Sequence, residues 1–413
     1  MDALHNNLID EYRNNSVCDS IFNDFMISLM KNYLYRTYIN QLKNENLVIE
    51  KMLSIRSQSK PIPRLPIVNY DSTNNNFIFP DDLLNFSAVY KNEYYEICFS
   101  TEALHSVPFE YLNSVSVIGI SKNARNVKSL IETIENEAII NSVYKNRIIS
   151  FDYSEEDSPV LKNITFVQPS KTKLDDIYIS SEKRVQVERF IYTVNNFDKD
   201  KIHLRYLLSG PPGTGKTQLI NSIINAVKNN ITIVIANGAD NHISDSLSIC
   251  STFNKCLLVI DDIDFAVADR ENNVDKSQLG FFLQKLDGFT PNNIFILAST
   301  NDKVLVDKAA SRPGRFDLIL DVSEIDSQNY LALIKRETND SEIINLFDTG
   351  ILEDFKSKRV TGAFIVNLIK QLKSQKKMKG SILKEGLIDF ISLVHSGYYG
   401  NNSECLSKSF GFQ

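Results

Sequence analysis

The sequence predicts an α/β fold whose second half contains a parallel β-sheet followed by a helical segment. From about residue 173, short apolar runs rich in β-branched residues alternate with helical patterns, which is typical of a parallel sheet covered by helices on both faces. From about residue 327 the apolar spacing is helical. The predicted strands are 206–209, 231–236, 256–260 and 294–299, and the predicted helices are 216–228, 330–337, 342–347, 362–375 and 382–394.

These elements divide the second half of the chain into three predicted segments. A large α/β subdomain covers residues 173–325, and a helical lid covers residues 326–396. Residues 397–413 are rich in Gly, Asn and Ser and are predicted to form a flexible tail.

The first half of the chain has a different pattern. Apolar side chains between Ile21 and Leu34 repeat at helical spacing, so we expect a helix over residues 3–55 within an N-terminal helical segment of residues 1–60. This apolar stripe is interpreted either as a face packed on a core or as a docking surface for a partner or a neighbouring subunit.

An α+β domain follows over residues 61–172 and is interpreted as a substrate or partner module. It begins with an extended connector, because residues 56–66 contain three prolines. We find no catalytic motif in it. The predicted strands are 77–79, 94–99, 116–120, 148–151 and 164–167, and one helix is predicted at 124–143.

Composition limits the classes of protein that fit. The net charge of −6 argues against a surface built mainly to hold nucleic-acid phosphates. The five cysteines and five histidines are scattered, which argues against a disulfide framework and against a zinc or histidine metal site. Neither a signal peptide nor a membrane span is visible, so we expect a soluble, cytoplasmic protein.

The segment GPPGTGKT, residues 210–217, predicts a phosphate-binding loop between a strand and a helix. Its glycines let backbone N–H groups face phosphate oxygens, and the start of the next helix favours the same anion. Lys216 adds a positive charge, and the hydroxyl of Thr217 is a candidate Mg²⁺ ligand. The candidate nucleotide-binding residues here are Gly210, Pro211, Pro212, Gly213, Thr214, Gly215, Lys216, Thr217 and Gln218.

Two adjacent aspartates end the apolar run LLVIDDID. Buried carboxylates need a cationic partner. A Mg²⁺ ion bound beside the predicted phosphate loop would be such a partner. We expect Asp261 to orient Mg²⁺, directly or through water, and Asp262 to polarise the attacking water. Asp264 is interpreted as a structural hydrogen-bonding residue.

Two downstream motifs add candidate catalytic side chains. Asn301 follows the strand in FILASTND and can hold the same water or touch the γ-phosphate. The segment ASRPGRFD carries Arg312 and Arg315, and an arginine fork matches phosphate oxygens. The alternative is a pair of surface arginines in salt bridges, but the neighbouring motifs favour fingers that reach into a neighbouring subunit's site.

Taken in order, GPPGTGKT, LLVIDDID, LDGF, ASTND, SRPGRFD and TGAF resemble the AAA clade of the AAA+ ATPase superfamily over about residues 173–395. The resemblance implies a P-loop NTPase fold with a helical lid, a homo-oligomeric ring that is usually a hexamer, and Mg²⁺-ATP between subunits. Asn301 then matches sensor 1, and Arg312 and Arg315 match the arginine fingers. Gly362 and Ala363 match the sensor 2 region, and Ile177, after Asp176, resembles the segment that packs on adenine.

The sequence departs from this family in two places. Asp262 stands where the family usually has Glu, so the second carboxylate is one methylene shorter. The segment ANGADNHISDSLS, residues 236–248, should contain the pore loop but has no aromatic residue to grip an extended polypeptide. In both respects, and in the domain before the ATPase, the chain resembles the branch of the mitochondrial translocase of the folded Rieske protein, whose membrane helix has no counterpart in this sequence.

Three functions are compatible with the sequence. The leading hypothesis is an ATP-driven ring that remodels or chaperones a protein client without aromatic threading. The second is an AAA+ protein acting on nucleic acid, for which residues 370–384 supply six lysines, although a solvated helix face is the simpler interpretation. The third is a nucleotide-gated scaffold with slow hydrolysis, for which the shorter Asp262 is the support.

Overall fold

The structure is a computed structural model. Of the 413 residues it describes 17–21, 24–55, 63–73, 76–79, 83–103, 111–119, 124–151, 164–237, 243–263, 286, 293–301, 312, 314–322, 325, 329–380, 387–388 and 390–392.

The described elements are numbered in chain order. The strands are β1 Val17–Ile21, β2 Leu47–Ile55, β3 Pro63–Arg64, β4 Asn69–Asp71, β5 Asn76–Ile78, β6 Leu83–Tyr90, β7 Glu93–Ala103, β8 Tyr111–Gly119, β9 Ile148–Phe151, β10 Ile164–Phe166, β11 Arg205–Ser209, β12 Thr232–Asn237, β13 Cys256–Asp261, β14 Ile294–Thr300 and β15 Leu318–Asp321. The helices are α1 Asp24–Tyr38, α2 Ala124–Ile140, α3 Ser181–Asp200, α4 Lys216–Val227, α5 Ile243–Thr252, α6 Tyr330–Glu337, α7 Ser341–Leu346, α8 Thr349–Ser357 and α9 Gly362–Lys379, and Leu174–Asp176 forms a 3₁₀ turn.

The chain divides into two compact units. The first comprises Met1–Gln168, Lys228–Ala236 and His242–Leu258. The second comprises Pro169–Val227, Asn237–Asn241 and Val259–Gln413. The residues predicted to bind nucleotide or metal all fall in the second unit.

The first unit contains an antiparallel sheet of six strands in the order β1-β8-β7-β6-β2-β3. Alternate residues of β7 are buried, including Tyr95, Ile97 and Phe99, as expected of a sheet with one face on a core. Helix α1 buries Phe25, Met30 and Leu34, among others, so the core-facing interpretation of its apolar stripe is confirmed for the described side chains.

The predicted helix over residues 3–55 is wrong in its extent. Among the described residues of this range, only Asp24–Tyr38 is helical, whereas Val17–Ile21 and Leu47–Ile55 are strands. Strand β2 pairs with β6 from Leu47↔Tyr90 to Ile55↔Leu83, and this long-range pairing outweighs the local helical spacing. Residues 1–16 and 22–23 lie outside the described residues.

A second sheet has seven strands in the order β10-β9-β12-β13-β14-β11-β15. Strand β11 pairs in parallel with β14 and with β15, and β9 pairs in parallel with β12. The α/β fold class with a mostly parallel sheet and C-terminal helices is therefore confirmed. The sequence analysis assigned β9 and β10 to the preceding α+β domain. It did not predict that they pair within this seven-stranded sheet.

The lid helices α6–α9 enclose a core of their own. Tyr330, Phe355 and Phe364 meet edge to face in it, and Leu368 and Leu372 are fully buried. The predicted helix at 330–337 matches α6 residue for residue, whereas helices α3, α5 and α8 were not predicted. Of the helix predicted at 382–394, residues 387–388 and 390–392 are helical, and the rest lies outside the described residues, as does the predicted tail.

Within the described part of the chain, no helix combines the length and the apolar character needed to span a bilayer.

Candidate active site

The phosphate loop has the local geometry that its sequence predicts. It leaves β11 after Ser209 and enters α4 at Lys216. Gly213 and Gly215 have φ values of 78° and 98°, in the left-handed region where a residue with a Cβ is strained. The two glycines are therefore required by the backbone path of the loop.

Lys216 is held at the floor of the loop by three oxygen atoms. Its Nζ donates to the carbonyl oxygens of Gly210 at 2.7 Å and Pro211 at 3.0 Å, and to Oδ1 of Asn301 at 2.6 Å. The residue is only 5% exposed, so the ammonium group needs these acceptors. They fix the position of the positive charge relative to the ends of β11 and β14.

Sheet register brings Asn301 to this place. Strands β11 and β14 run in parallel with Ser209 opposite Thr300, so the residues that follow them are neighbours. The N–H of Gly210 donates to the Thr300 carbonyl at 3.3 Å. The predicted proximity of Asn301 to the phosphate loop is thus a direct result of strand pairing.

Thr217 and Asp261 form the candidate metal site. The Thr217 hydroxyl donates to Oδ2 of Asp261 at 2.8 Å, and the Ser299 hydroxyl donates to Oδ1 at 2.5 Å. A hydroxyl and a carboxylate beside a phosphate loop are the hard oxygen donors that Mg²⁺ prefers. These residues therefore fit the ion that the sequence predicts, with Ser299 orienting the carboxylate.

Asp262 is linked to Lys216 through Asn301. Nδ2 of Asn301 donates to Oδ1 of Asp262 at 3.0 Å, while its Oδ1 accepts from Lys216. Asp262 has a φ of 53°, and its N–H donates to the Ser299 hydroxyl at 2.9 Å. Aspartate tolerates this left-handed conformation better than most residues do. The side chain is thereby oriented at the end of β13, where sequence placed it.

A cleft of about 690 Å³ adjoins these residues. The N–H of Ala363, in the first turn of α9, donates to the Gly213 carbonyl at 3.2 Å, which joins the lid to the phosphate loop. A Cβ at Gly362 would lie 2.9 Å from Cδ1 of Ile325, so a larger residue there would displace that side chain. The predicted binding residues that line the cleft are Ile177, Pro212, Gly213, Thr214, Gly215, Lys216, Thr217, Gln218, Gly362 and Ala363, together with Asp262 and Asn301.

The end of the cleft beside Ile177 contains residues that sequence analysis missed. The Arg336 guanidinium lies 5.2 Å from the ring centroid of Tyr178 and donates to the Asp176 carbonyl. Tyr178, Leu333 and Arg336 all line the cleft. No motif marks Arg336, because its carbonyl partner is 160 residues earlier in the chain.

Arg312 and Arg315 do not line this cleft. They lie in a segment that we call the arginine turn, residues 312–317, which leads into β15. Arg312 is exposed, whereas Arg315 is 7% exposed.

The arginine turn is anchored at the start of β11, while the phosphate loop follows its end. Five residues at about 3.3 Å each separate the two by roughly 16 Å. Both arginines thus lie at the opposite end of β11 from the phosphate loop of their own chain.

Several of the lysines in residues 370–384 contact the lid or the cleft. Nζ of Lys376 lies 2.5 Å from Asp340 and 2.7 Å from Glu342, and Lys373 donates to the Glu337 carbonyl at 2.5 Å. Lys370 lines the cleft. Three of the six lysines are therefore engaged within the second unit, which weakens the interpretation of this run as a nucleic-acid surface.

Two sequence hypotheses concern residues that are not described. Residues 238–242 of the predicted pore loop lie outside the described part of the chain, between Asn237 of β12 and Ile243 of α5. Asp264 lies outside it as well.

Comparison with known proteins agrees with this site. Residues 206–324 match the family described as "ATPase family associated with various cellular activities (AAA)". The chain is 26% identical over 251 residues to the "ATP-dependent zinc metalloprotease FtsH" of Halothermothrix orenii, covering 55% of this chain and 39% of that protein. It is 25% identical over 256 residues to the "Mitochondrial inner membrane i-AAA protease supercomplex subunit YME1" of Saccharomyces cerevisiae, covering 54% and 34%. It is 29% identical over 157 residues to the "Proteasome-activating nucleotidase" of Methanococcus maripaludis, covering 34% and 38%.

The chain thus contains an AAA ATPase domain, the class of nucleotide-hydrolysing domain that the fold and the phosphate loop define. Its homology to the metalloproteases and to the proteasome-activating protein is distant. The chain spans less than two fifths of the length of these curated relatives.

Proposed function

We propose that this protein is an ATPase that works as a homo-oligomeric ring and uses ATP hydrolysis to remodel a protein client. The observation that carries the ATPase part is the connected set Lys216–Asn301–Asp262, which runs beside the Thr217–Asp261 pair. Every member of it has a role in binding or activating the phosphate end of ATP.

The roles of the residues follow from their positions. The loop N–H groups and Lys216 bind the phosphates, and Thr217 and Asp261 would hold Mg²⁺. The ion supplies charge neutralisation on the β- and γ-phosphates. Asp262 accepts the proton of the attacking water, and Asn301 keeps the Asp262 carboxylate and the Lys216 ammonium in fixed relation.

The position of the arginine turn supports hydrolysis between subunits. Arg312 and Arg315 lie at the end of β11 away from their own phosphate loop, at a separation that an arginine side chain does not span. A neighbouring copy would bring them to its partner's γ-phosphate, where a guanidinium stabilises the charge of the transition state. Arg312 is the exposed member of the pair and the more accessible donor in a single chain.

A protein client is supported by two observations. Lys373 and Lys376 are engaged in lid contacts, which removes much of the basic run that would favour nucleic acid. The name of one distant relative, proteasome-activating nucleotidase, states a role in activating the proteasome. The printed name "zinc metalloprotease" describes other relatives, and the present sequence contains no H-E-x-x-H motif, so the proposal is limited to ATP-driven remodelling.

The experiment is a client trap with tagged Asp262→Asn protein, which is expected to bind ATP without turning it over. The protein is purified from its own cells with ATP or with ADP, and the Lys216→Ala protein is the matched control that cannot hold nucleotide. A defined protein retained by Asp262→Asn with ATP, and by neither control, supports remodelling. Retention of nucleic acid instead, or of nothing in any sample, would contradict it.

A further inference from the structure

Arg205 is a buried cation that has no direct part in the proposed binding or hydrolysis of ATP. It is the first residue of β11 and is 8% exposed. Burial lowers the pKa of its guanidinium, and the nearby Asp317 carboxylate opposes that shift. Burying a charged side chain is costly unless it is paired and hydrogen-bonded. The hydrogen bonds of Arg205 therefore indicate what the residue holds in place.

One nitrogen atom of Arg205 holds two distant segments together. Nη1 donates to the carbonyl oxygen of Gly314 at 2.9 Å and to that of Leu286 at 3.0 Å. Gly314 lies between Arg312 and Arg315 in the arginine turn, and Leu286 is the first residue of the LDGF motif. The guanidinium therefore joins two segments that recur in this family but are far apart in sequence.

The backbone of Arg205 anchors the same turn a second time. Its N–H donates to Oδ2 of Asp317 at 2.8 Å, and its carbonyl accepts from the Asp317 N–H at 2.8 Å. Gly314 has a φ of 94°, so the turn itself follows a path that favours glycine. The arginine turn is thus held at Gly314 by a side chain and at Asp317 by backbone groups.

We propose that Arg205 is a positioning residue for the arginine turn, fixing Arg312 and Arg315 where they reach the neighbouring subunit's nucleotide. This inference rests on the proposed function, because it takes Arg312 and Arg315 to act on the nucleotide of a neighbouring subunit. A displacement of about 1 Å at catalytic groups can cost on the order of 10²-fold in rate. The Arg205 side chain should therefore affect turnover and leave nucleotide binding unchanged.

The test measures ATP turnover by the full-length protein in two backgrounds. Arg205→Met keeps an unbranched apolar chain and removes the donors. In the wild-type background we expect kcat to fall on the order of 10²-fold, with KM for ATP changed less than about twofold. In an Arg312→Ala/Arg315→Ala background, where the fingers are already absent, Arg205→Met should change kcat less than about twofold. Arg147→Met, at an exposed arginine of the first unit, is the matched control and should match the wild type.

Two further measurements separate positioning from general stability. Arg205→Lys retains a cation and a donor at the site and should recover part of the lost kcat. If Arg205→Met unfolds at assay temperature, Arg205→Lys serves alone in the same two backgrounds. Equal losses of kcat in both backgrounds, or an unchanged kcat in the wild-type background, would overturn the positioning role.

Failure of the inference can be told from failure of the proposed function. If Arg312→Ala/Arg315→Ala hydrolyses ATP like the wild type, the finger assignment is wrong and the inference falls with it. If that double variant loses activity while Arg205→Met does not, only the role of Arg205 is overturned.

Discussion

At the scale of single residues, the proposed hydrolysis uses Asp262, a short carboxylate that Asn301 holds in a fixed position. Asp262 replaces the usual glutamate, but its Oδ1 accepts from Asn301 at 3.0 Å and its N–H is tied to Ser299. The side chain is one methylene shorter than that of glutamate, yet Asn301 orients its carboxylate and Ser299 holds the backbone of the same residue. Its position, rather than its length alone, should decide whether it activates water.

The first prediction concerns Asp262→Asn. The amide can still accept from Asn301 but cannot take a proton from water, so ATP binding should persist while kcat falls by about 10²- to 10⁴-fold. Nucleotide binding is measured by titration calorimetry and turnover by phosphate release. Hydrolysis within about twofold of the wild type would show that Asp262 is not the base.

A second prediction follows from the double role of Asn301. Asn301→Ala removes the acceptor for Lys216 and the donor to Asp262, each a hydrogen bond to a charged group. Such bonds contribute about 1.5–3 kcal/mol, so kcat should fall about 10- to 100-fold. Steady-state kinetics measures the effect, with Asn196→Ala on the exposed face of α3 as the control. An unchanged kcat would remove Asn301 from the mechanism.

The sequence analysis found those residues of the candidate site that lie within short, recognisable motifs. The phosphate loop, Asp262 and Asn301 each follow a buried strand, Asp261 is the last residue of one, and parallel pairing brings strand ends together. Arg205 and Arg336 could not be found this way. Their partners lie 81, 109 and 160 residues away, and a single arginine in a strand or a helix carries no spacing signal.

At the scale of elements, the prediction was right where the apolar pattern of an element is strong and is set by its own residues. Strands β11–β14 of the parallel sheet and helix α6 were found within one or two residues, whereas β15 was not predicted. The helix predicted over residues 3–55 failed because β2 obtains its stability from pairing with β6, about 35 residues later. Helix α3 was missed because exposed apolar residues such as Val185 and Tyr192 blur its amphipathic pattern.

The third prediction concerns the lid, where Lys376 of α9 joins α7. Lys376 lowers the pKa of the Asp340 carboxyl, and Asp340 raises the pKa of Lys376. The pair therefore stabilises the folded lid at neutral pH, and the Asp340 contribution is lost as the pH falls below the ordinary aspartate value of about 3.9 and through its lowered folded value. Lys376→Met should lower the unfolding midpoint at neutral pH, and the difference from wild type should shrink in acid.

Thermal unfolding at neutral and acidic pH measures this effect. Lys377→Met, one residue along the same helix, is the matched control and should show little pH-dependent difference. If both variants shift the midpoint equally at every pH, the ion pair does not join the lid helices.

At the scale of the whole molecule, the proposed hydrolysis requires that copies of the chain assemble. The phosphate loop and the arginine turn occupy opposite ends of β11. In the proposed function, one chain therefore carries a nucleotide site and, separately, the arginines for the site of another copy, so a complete hydrolytic site requires two copies. The sequence identifies both motifs. The strand geometry shows in addition that they lie at opposite ends of β11.

The measurement that tests this central claim most directly is ATP turnover in a mixture of two full-length variants. Asp262→Asn protein retains its arginines, and Arg312→Ala/Arg315→Ala protein retains its catalytic carboxylate. Each alone should be nearly inactive. Mixed and allowed to exchange subunits, they should recover turnover well above either alone, because the first lends its arginines to the nucleotide site of the second. Turnover of the mixture that never exceeds the average of the separate variants, despite demonstrated co-assembly, would contradict hydrolysis between subunits.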